Sequence, residues 1–323
     1  MKKRIDWIDT AKGIGVFFVT WAWISQWLPM DKFLSSFSMF LFFFLSGYLF
    51  TSAGNNMKSF IRKKAKSRLL PFLIWYLLSM PIDLIISDSL FETLFGYLII
   101  HNSTIGNNPV GFFLVLFYAE VLYAFLYQYC SGFPPFVYLM PLCSLITAFL
   151  LPHGLTFLIS VIPMALFFYS LGFLFRKTRL FRSVYRHWLP VLAVSIAGSL
   201  IFSQLNDRIS VFTGNFGNPL FCIAAGVSGV IACCIIAQKL YGFKFKDTLS
   251  ALGRQSSSAL ILCYPMIFFI HVFSHLYNEL NLTRFINPFT SPFLAVITII
   301  AALSIKTGLR KLMPLVCDLA GLK

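Results

Sequence analysis

Apolar runs close to twenty residues long recur along the whole chain, and basic clusters occupy every second break between them. A transmembrane helix needs about 20 mostly apolar residues. Inside a bilayer only helices and closed barrels satisfy their own backbone groups. Ten segments qualify: 13–29, 33–52, 69–87, 110–129, 134–151, 155–175, 188–204, 219–238, 249–271 and 290–305. The stretch 90–100 is apolar but short, and reads as interfacial or re-entrant. The expected fold class is all-α integral membrane, about ten transmembrane helices in a single bundle, with residues 1–323 as one domain. Composition agrees: the chain is 58% hydrophobic and 11% charged, where soluble chains carry about 25% charged residues.

The net charge of +15 invites a nucleic-acid reading, but the placement of the charges excludes it. With the N-terminus inside and ten alternating spans, only Lys32, Arg208 and Arg284 of the 26 Lys and Arg fall on the outer side. The rest lie in or beside cytoplasmic segments: Lys2 to Arg4 with Lys12, Lys58 to Arg68, Arg176 to Arg186, Lys239 to Arg254, and Lys306 onward. This is the positive-inside pattern. It places both ends in the cytoplasm and the protein in a plasma or bacterial inner membrane. The basic loops suit anionic headgroups or an anionic cytosolic substrate, and topology alone also accounts for each cluster. Asp6 and Asp9 interrupt the positive start, and no small-residue cleavage pattern follows Trp27, so the first helix is expected to stay uncleaved.

Seven cysteines without regular spacing describe neither a disulfide framework nor a zinc site. Buried thiols acting as small apolar side chains are the simpler reading, and no metal is expected. The runs HNSTIGNNP and TGNFGNP are rich in turn formers. They can hold a sugar through amide hydrogen bonds or serve as plain reverse turns. Asn102-Ser-Thr and Asn281-Leu-Thr match the glycosylation pattern, which matters only in a eukaryotic secretory pathway.

Several segments together carry a family resemblance. The chain opens with Arg4, Asp6, Trp7, Asp9 and Lys12 ahead of Gly13-Ile14-Gly15. Phe37-Ser38-Met39-Phe40 begins a Phe-rich run that closes at Ser46-Gly47-Tyr48. KKAKSRLLP at 63–71 leads into the third span, PVGFFLVLFYAE at 109–120 ends in Glu120, and a further motif spans Leu252 to Pro265. In this order they resemble the acyltransferase-3 family, membrane proteins that move acyl groups onto sugars. The resemblance implies acyl transfer from acyl-CoA, such as acetyl-CoA, to a cell-surface polysaccharide or its lipid-linked precursor, with no bound cofactor. It also implies that Lys12 and Arg68 contact the acyl donor and that Asp9 orients Lys12. Snorkelling anchors would equally explain both cations.

The same resemblance exposes three departures. The positions at which the family carries histidine hold Trp23, Ser38 and Cys263, and Gly111 stands where a tryptophan is usual. By resemblance, Trp23, Ser38 and Cys263 line one cavity. Acyl transfer to a hydroxyl needs a proton acceptor, a role that suits histidine. Positioned general-base catalysis is worth about 10²–10⁴-fold, or about 3–5 kcal/mol of barrier. An indole nitrogen only donates, and Ser and Cys need a neighbour to activate them. The five histidines lie elsewhere: His101 and His153 near outer loops, His187 in a basic segment, and His271 with His275 four apart near the end of the ninth span. That spacing suits a metal or a polar interfacial pair.

Glu120 is the carboxylate placed well inside a span, where an ionisable group is costly and functional by default. It is either a substitute base or a structural partner for Arg68, Lys12 or a helix end. Two readings follow. One is an O-acyltransferase with a displaced base. The other is a catalytically degenerate relative that binds a glycan or lipid-linked sugar, partners a transferase, or moves substrate across the membrane. The sequence names no protein partner.

Overall fold

The computed structural model describes residues 5–25, 27–52, 56–86, 110–130, 134–150, 156–178, 180, 184, 186–211, 214–240, 243, 245–276, 288–312, 314, 317 and 322. The stretch 90–100, His153, both glycosylation patterns and all of HNSTIGNNP, His101 included, lie outside the described residues. The elements are α1 Asp6–Ile24, α2 Leu28–Ser35, α3 Ser38–Tyr48 and α4 Met57–Lys64, then a π-helical turn at Ala65–Leu69 that runs into α5 Leu70–Ile86. Next come α6 Val110–Cys130, α7 Pro134–Leu150, a 3₁₀ turn Thr156–Val161, α8 Ile162–Lys177, α9 Trp188–Leu205 and α10 Pro219–Lys239. The last are α11 Phe245–Arg254, α12 Ser256–Leu276 and α13 Ser291–Leu312. Among the described residues the fold is all-helical, with one isolated bridge, Ser210 to Asn215.

Each of the ten expected segments coincides with described helix, but several borders move for local reasons. The first helix starts at Asp6, so Asp6 and Asp9 sit in its first turn, where acids suit the helix dipole. It stops at Ile24 because Ser25 turns extended, and Pro29 then opens α2. The segment 33–52 breaks at Ser36–Phe37, and the segment 249–271 breaks at Gln255. Six described spans are long and apolar enough to cross a membrane: Leu28–Tyr48, Val110–Cys130, Ile159–Lys177, Trp188–Leu205, Pro219–Lys239 and Ser291–Leu312. Pro135–Leu150 and Ser256–Phe268 are shorter apolar helices.

Helix α1 is the axis of the bundle, in contact with α2, α3, α10, α11, α12 and α13. In lipid, helices associate through close packing of small residues rather than by expelling water. Two glycine pairs do this here. A Cβ on Gly13 would overlap the Leu249 carbonyl oxygen, and one on Gly253 would overlap that of Asp9, so α11 lies backbone-to-backbone on α1. Gly47 and Gly172 bring α3 and α8 together in the same manner, against the carbonyls of Tyr169 and Phe44. Phe40 stacks on Phe168 within that seam, centroids 4.3 Å apart. The Phe42–Phe43–Phe44 run is buried.

At the end of the bundle opposite the basic clusters, the segment after α9 folds back on α2. Arg208 pairs with buried Asp31 at 2.6 Å, and Lys32 donates to the Asn206 carbonyl at 2.8 Å. The Asn206 amide donates to the Phe216 carbonyl and accepts from the Asn218 N–H. Gly214 and Gly217 supply the left-handed backbone that this turn requires, with φ of 69° and 59°.

Candidate functional site

The basic ends of α1, α4 and α11 converge on one cavity of about 400 Å³, within the range of about 300–1,000 Å³ usual for small-ligand sites. Helix α1 contributes Asp9 and Lys12, the α4–π segment Lys63, Lys64 and Arg68, and α6 contributes Glu120. The α11–α12 junction adds Gly253, Arg254, Ser256 and Ser257. Phe42, Phe112, Phe113, Leu116 and Leu260 form the apolar remainder deeper in the bundle, with Ser46, Phe50 and Thr51 near the end of α3. Five cations and two carboxylates line the cavity, so its balance favours an anion.

Glu120 organises the charged part of the lining. The carboxylate side chain is 2% exposed, and each of its oxygens faces one cation: Oε1 accepts from Lys64 Nζ at 2.8 Å, while Oε2 lies 3.6 Å from Arg68 Nε. The second separation is an ion pair without hydrogen-bond geometry. Arg68 sits in the π-helical turn Ala65–Leu69, and Lys64 is the last residue of α4 immediately before it. Such turns are uncommon and often occur at functional positions. Asp9 and Lys12 pair across one turn of α1 at 3.8 Å. Arg254 donates to Ser250 Oγ at 3.0 Å. Next to Glu120 on α6, Tyr123 packs against Phe50 and Tyr169, each with centroids 5.0 Å apart, and its buried hydroxyl has no hydrogen-bond partner among the described residues.

The structure thus brings together Asp9, Lys12, Arg68 and Glu120. It does not bring Trp23, Ser38 or Cys263 to that cavity. Trp23 lies eleven residues beyond Lys12 on α1, about 16 Å along the axis. There its half-buried ring packs edge-on against Tyr264, centroids 5.2 Å apart. Cys263 is fully buried one turn past Leu260, beside the buried Thr20. Ser38 is buried at the start of α3. Between these levels Phe42, seated over Gly15, meets Phe112 edge-on at 5.9 Å. His187 is the exposed residue before α9. His271 and His275 fall on α12, with side chains outside the described residues. Among the described residues no three His, Cys, Asp or Glu converge to hold a metal.

Sequence reasoning missed Lys64, Arg254, Ser256 and Ser257 as members of the site. Lys64 had a readable signal, since it stands four residues before Arg68 on a helical stretch and the two therefore share a face. The junction serines had one too, because a Gly-Arg-Gln-Ser-Ser-Ser run inside an apolar segment is a helix stop followed by a helix start.

A family model described as an acyltransferase domain matches residues 5–307. The chain belongs to the acyltransferase-3 family. It is a multi-pass membrane protein of acyltransferase ancestry. Searches among curated proteins and among solved structures gave no match. In this member the family's basic framing surrounds a cavity, whereas the three positions that resemblance assigns to histidine are not among its lining residues.

Proposed function

We propose that this chain binds an acyl-CoA, most simply acetyl-CoA, in the basic cavity and passes its acyl group to a hydroxyl of a cell-surface glycan or lipid-linked precursor. The observation that carries the reading is the cavity lining: Lys12, Lys63, Lys64, Arg68 and Arg254 around one volume, with Asp9 and Glu120 opposing them. The phosphates of a coenzyme A thioester demand such a surface. Lys12 and Arg68 are the donor-binding residues of this reading, and Asp9 orients Lys12. Glu120 sets Lys64 and Arg68. It becomes a proton acceptor only when donor phosphates draw those cations away, because each of its oxygens already faces one.

The architecture in this reading is one domain over 1–323, ten spans, both ends cytoplasmic, and residence in a bacterial inner membrane. The alternation of basic breaks supports it. An impermeant thiol reagent applied to intact cells should label Arg208→Cys and spare Lys64→Cys; the reverse pattern inverts the topology.

A second reading is favoured by a specific observation. Trp23 fills a histidine position against Tyr264, and Ser38 and Cys263 fill the others. In this reading the chain retains donor or glycan binding without efficient chemistry, as a partner of a transferase or a carrier of substrate. Transfer of labelled acetyl from acetyl-CoA by the purified protein in nanodiscs separates the two. The enzyme reading expects turnover that falls by about 100-fold or more in Glu120→Gln. Binding without turnover selects the second reading.

A further inference from the structure

Lys306 is a buried cation that the cavity does not use. It lies within α13, inside the span Ser291–Leu312, and is 3% exposed. A buried ammonium group is costly unless it is paired, and this one lies toward the basic end of α13, whose last turn carries Arg310 and Lys311. An apolar side chain would fill the same place on the helix at less cost, so forming α13 does not call for the amine. Its Nζ donates to Gln255 Oε1 at 2.9 Å. Gln255 is the single residue between the end of α11 at Arg254 and the start of α12 at Ser256. Gly253 and Arg254 before it and Ser256 and Ser257 after it line the cavity, while Gln255 does not.

The junction is therefore gripped from two sides. On one, Gly253 sits so close to α1 that a Cβ would overlap the Asp9 carbonyl oxygen. On the other, Lys306 holds the Gln255 side chain away from the cavity. With the backbone fixed at both points, the residues flanking Gln255 (Arg254, Ser256 and Ser257) stay on the cavity side. We propose that Lys306 is a positioning residue for the basic cavity: it acts through Gln255 to hold the α11–α12 break in the register that presents Arg254, Ser256 and Ser257 to an anionic ligand. The proposal rests on the donor reading for its ligand, and its geometry has a readout of its own.

The test uses the full chain in nanodiscs with coenzyme A as probe. Lys306→Met is expected to weaken coenzyme A binding by about tenfold, the size of one lost charge-assisted hydrogen bond. Lys306→Arg, which keeps a donor, should restore most of that affinity. The loss should be non-additive with Arg254→Gln, which sits on the segment Lys306 holds, and additive with Lys63→Gln, which reaches the cavity from α4. In a Ser257→Cys background, thiol labelling at 257 should change severalfold on adding Lys306→Met, with or without ligand. Unchanged labelling together with unchanged affinity overturns the proposal, as does full additivity with Arg254→Gln. If the parent chain does not bind coenzyme A, the donor reading fails and labelling at 257 alone decides the positioning claim. If Lys306→Met does not fold, Gln255→Leu breaks the same contact from outside the span and is read in the same way.

Discussion

The two levels of the bundle that bear on function are built from different chemistry. At the basic end, polar side chains from α1, α4, α6 and α11 meet around a cavity, and Glu120 holds two cations at once. About two to three turns farther along α1, that helix faces α12 through Trp23 against Tyr264 and Thr20 beside Cys263, with Phe42 and Phe112 lying between the levels. The first level can recognise charge. The second offers an indole, a buried thiol and a buried serine, none of which accepts a proton unaided. The contrast teaches that the charged cavity and the level of the family's histidine positions are separable in this scaffold, because they occupy different turns of the same helices.

The largest expected effect comes from changing the deeper level alone. On the second reading, in which binding is kept and the base is lost, Trp23→His combined with Ser38→His should raise acetyl transfer from acetyl-CoA by about 100-fold or more over the parent, the typical worth of a positioned base. A folded double variant that gains nothing would break the comparison, since the basic end would then not be a donor site awaiting a base. At the basic level, Glu120→Gln strips the shared partner from Lys64 and Arg68. Those cations are about a quarter exposed, so the loss should be about 2 kcal/mol rather than the 3–5 of a fully buried pair. It should appear as a drop of several degrees in the thermal unfolding midpoint in detergent. An unchanged midpoint would mean that Glu120 is not organising the charged part of the lining.

A smaller effect tests how tightly the levels are tied together. Gly253→Ala pushes α11 off α1 and should cost about 1–3 kcal/mol, the usual range for overpacking. Gly308, by contrast, has open space where a Cβ would lie. Gly308→Ala should therefore be neutral or stabilising by up to about 1 kcal/mol. Equal effects at the two glycines would contradict the close approach of α11 to the axis.

The long elements were readable because the bilayer writes them into composition. The run 110–129 becomes Val110–Cys130, 188–204 becomes Trp188–Leu205, and 219–238 becomes Pro219–Lys239. Asp9, Lys12, Arg68 and Glu120 were also legible, since an ionisable group in or beside an apolar run stands out. The partners of those groups were not. Lys64 and Glu120 are 56 residues apart in sequence, and only the packing of α4 against α6 makes Lys64, rather than Lys12, the cation on Oε1. The helix break at Gln255 was hidden inside an apolar segment read as one span, which concealed Arg254, Ser256 and Ser257 as cavity residues. Lys306 looked like the start of a basic tail, because its burial depends on α12 and α13 packing together.

The most direct test of the central claim is calorimetric titration of coenzyme A into the purified chain in nanodiscs, at low and at physiological salt. Binding should weaken as salt rises, because the contacts are ionic. It should weaken further by about tenfold in each of Lys12→Gln and Arg68→Gln, each removing one charged contact to phosphate. Binding that ignores both salt and these substitutions, or no binding at all, would contradict the assignment of the basic cavity as the acyl-donor site.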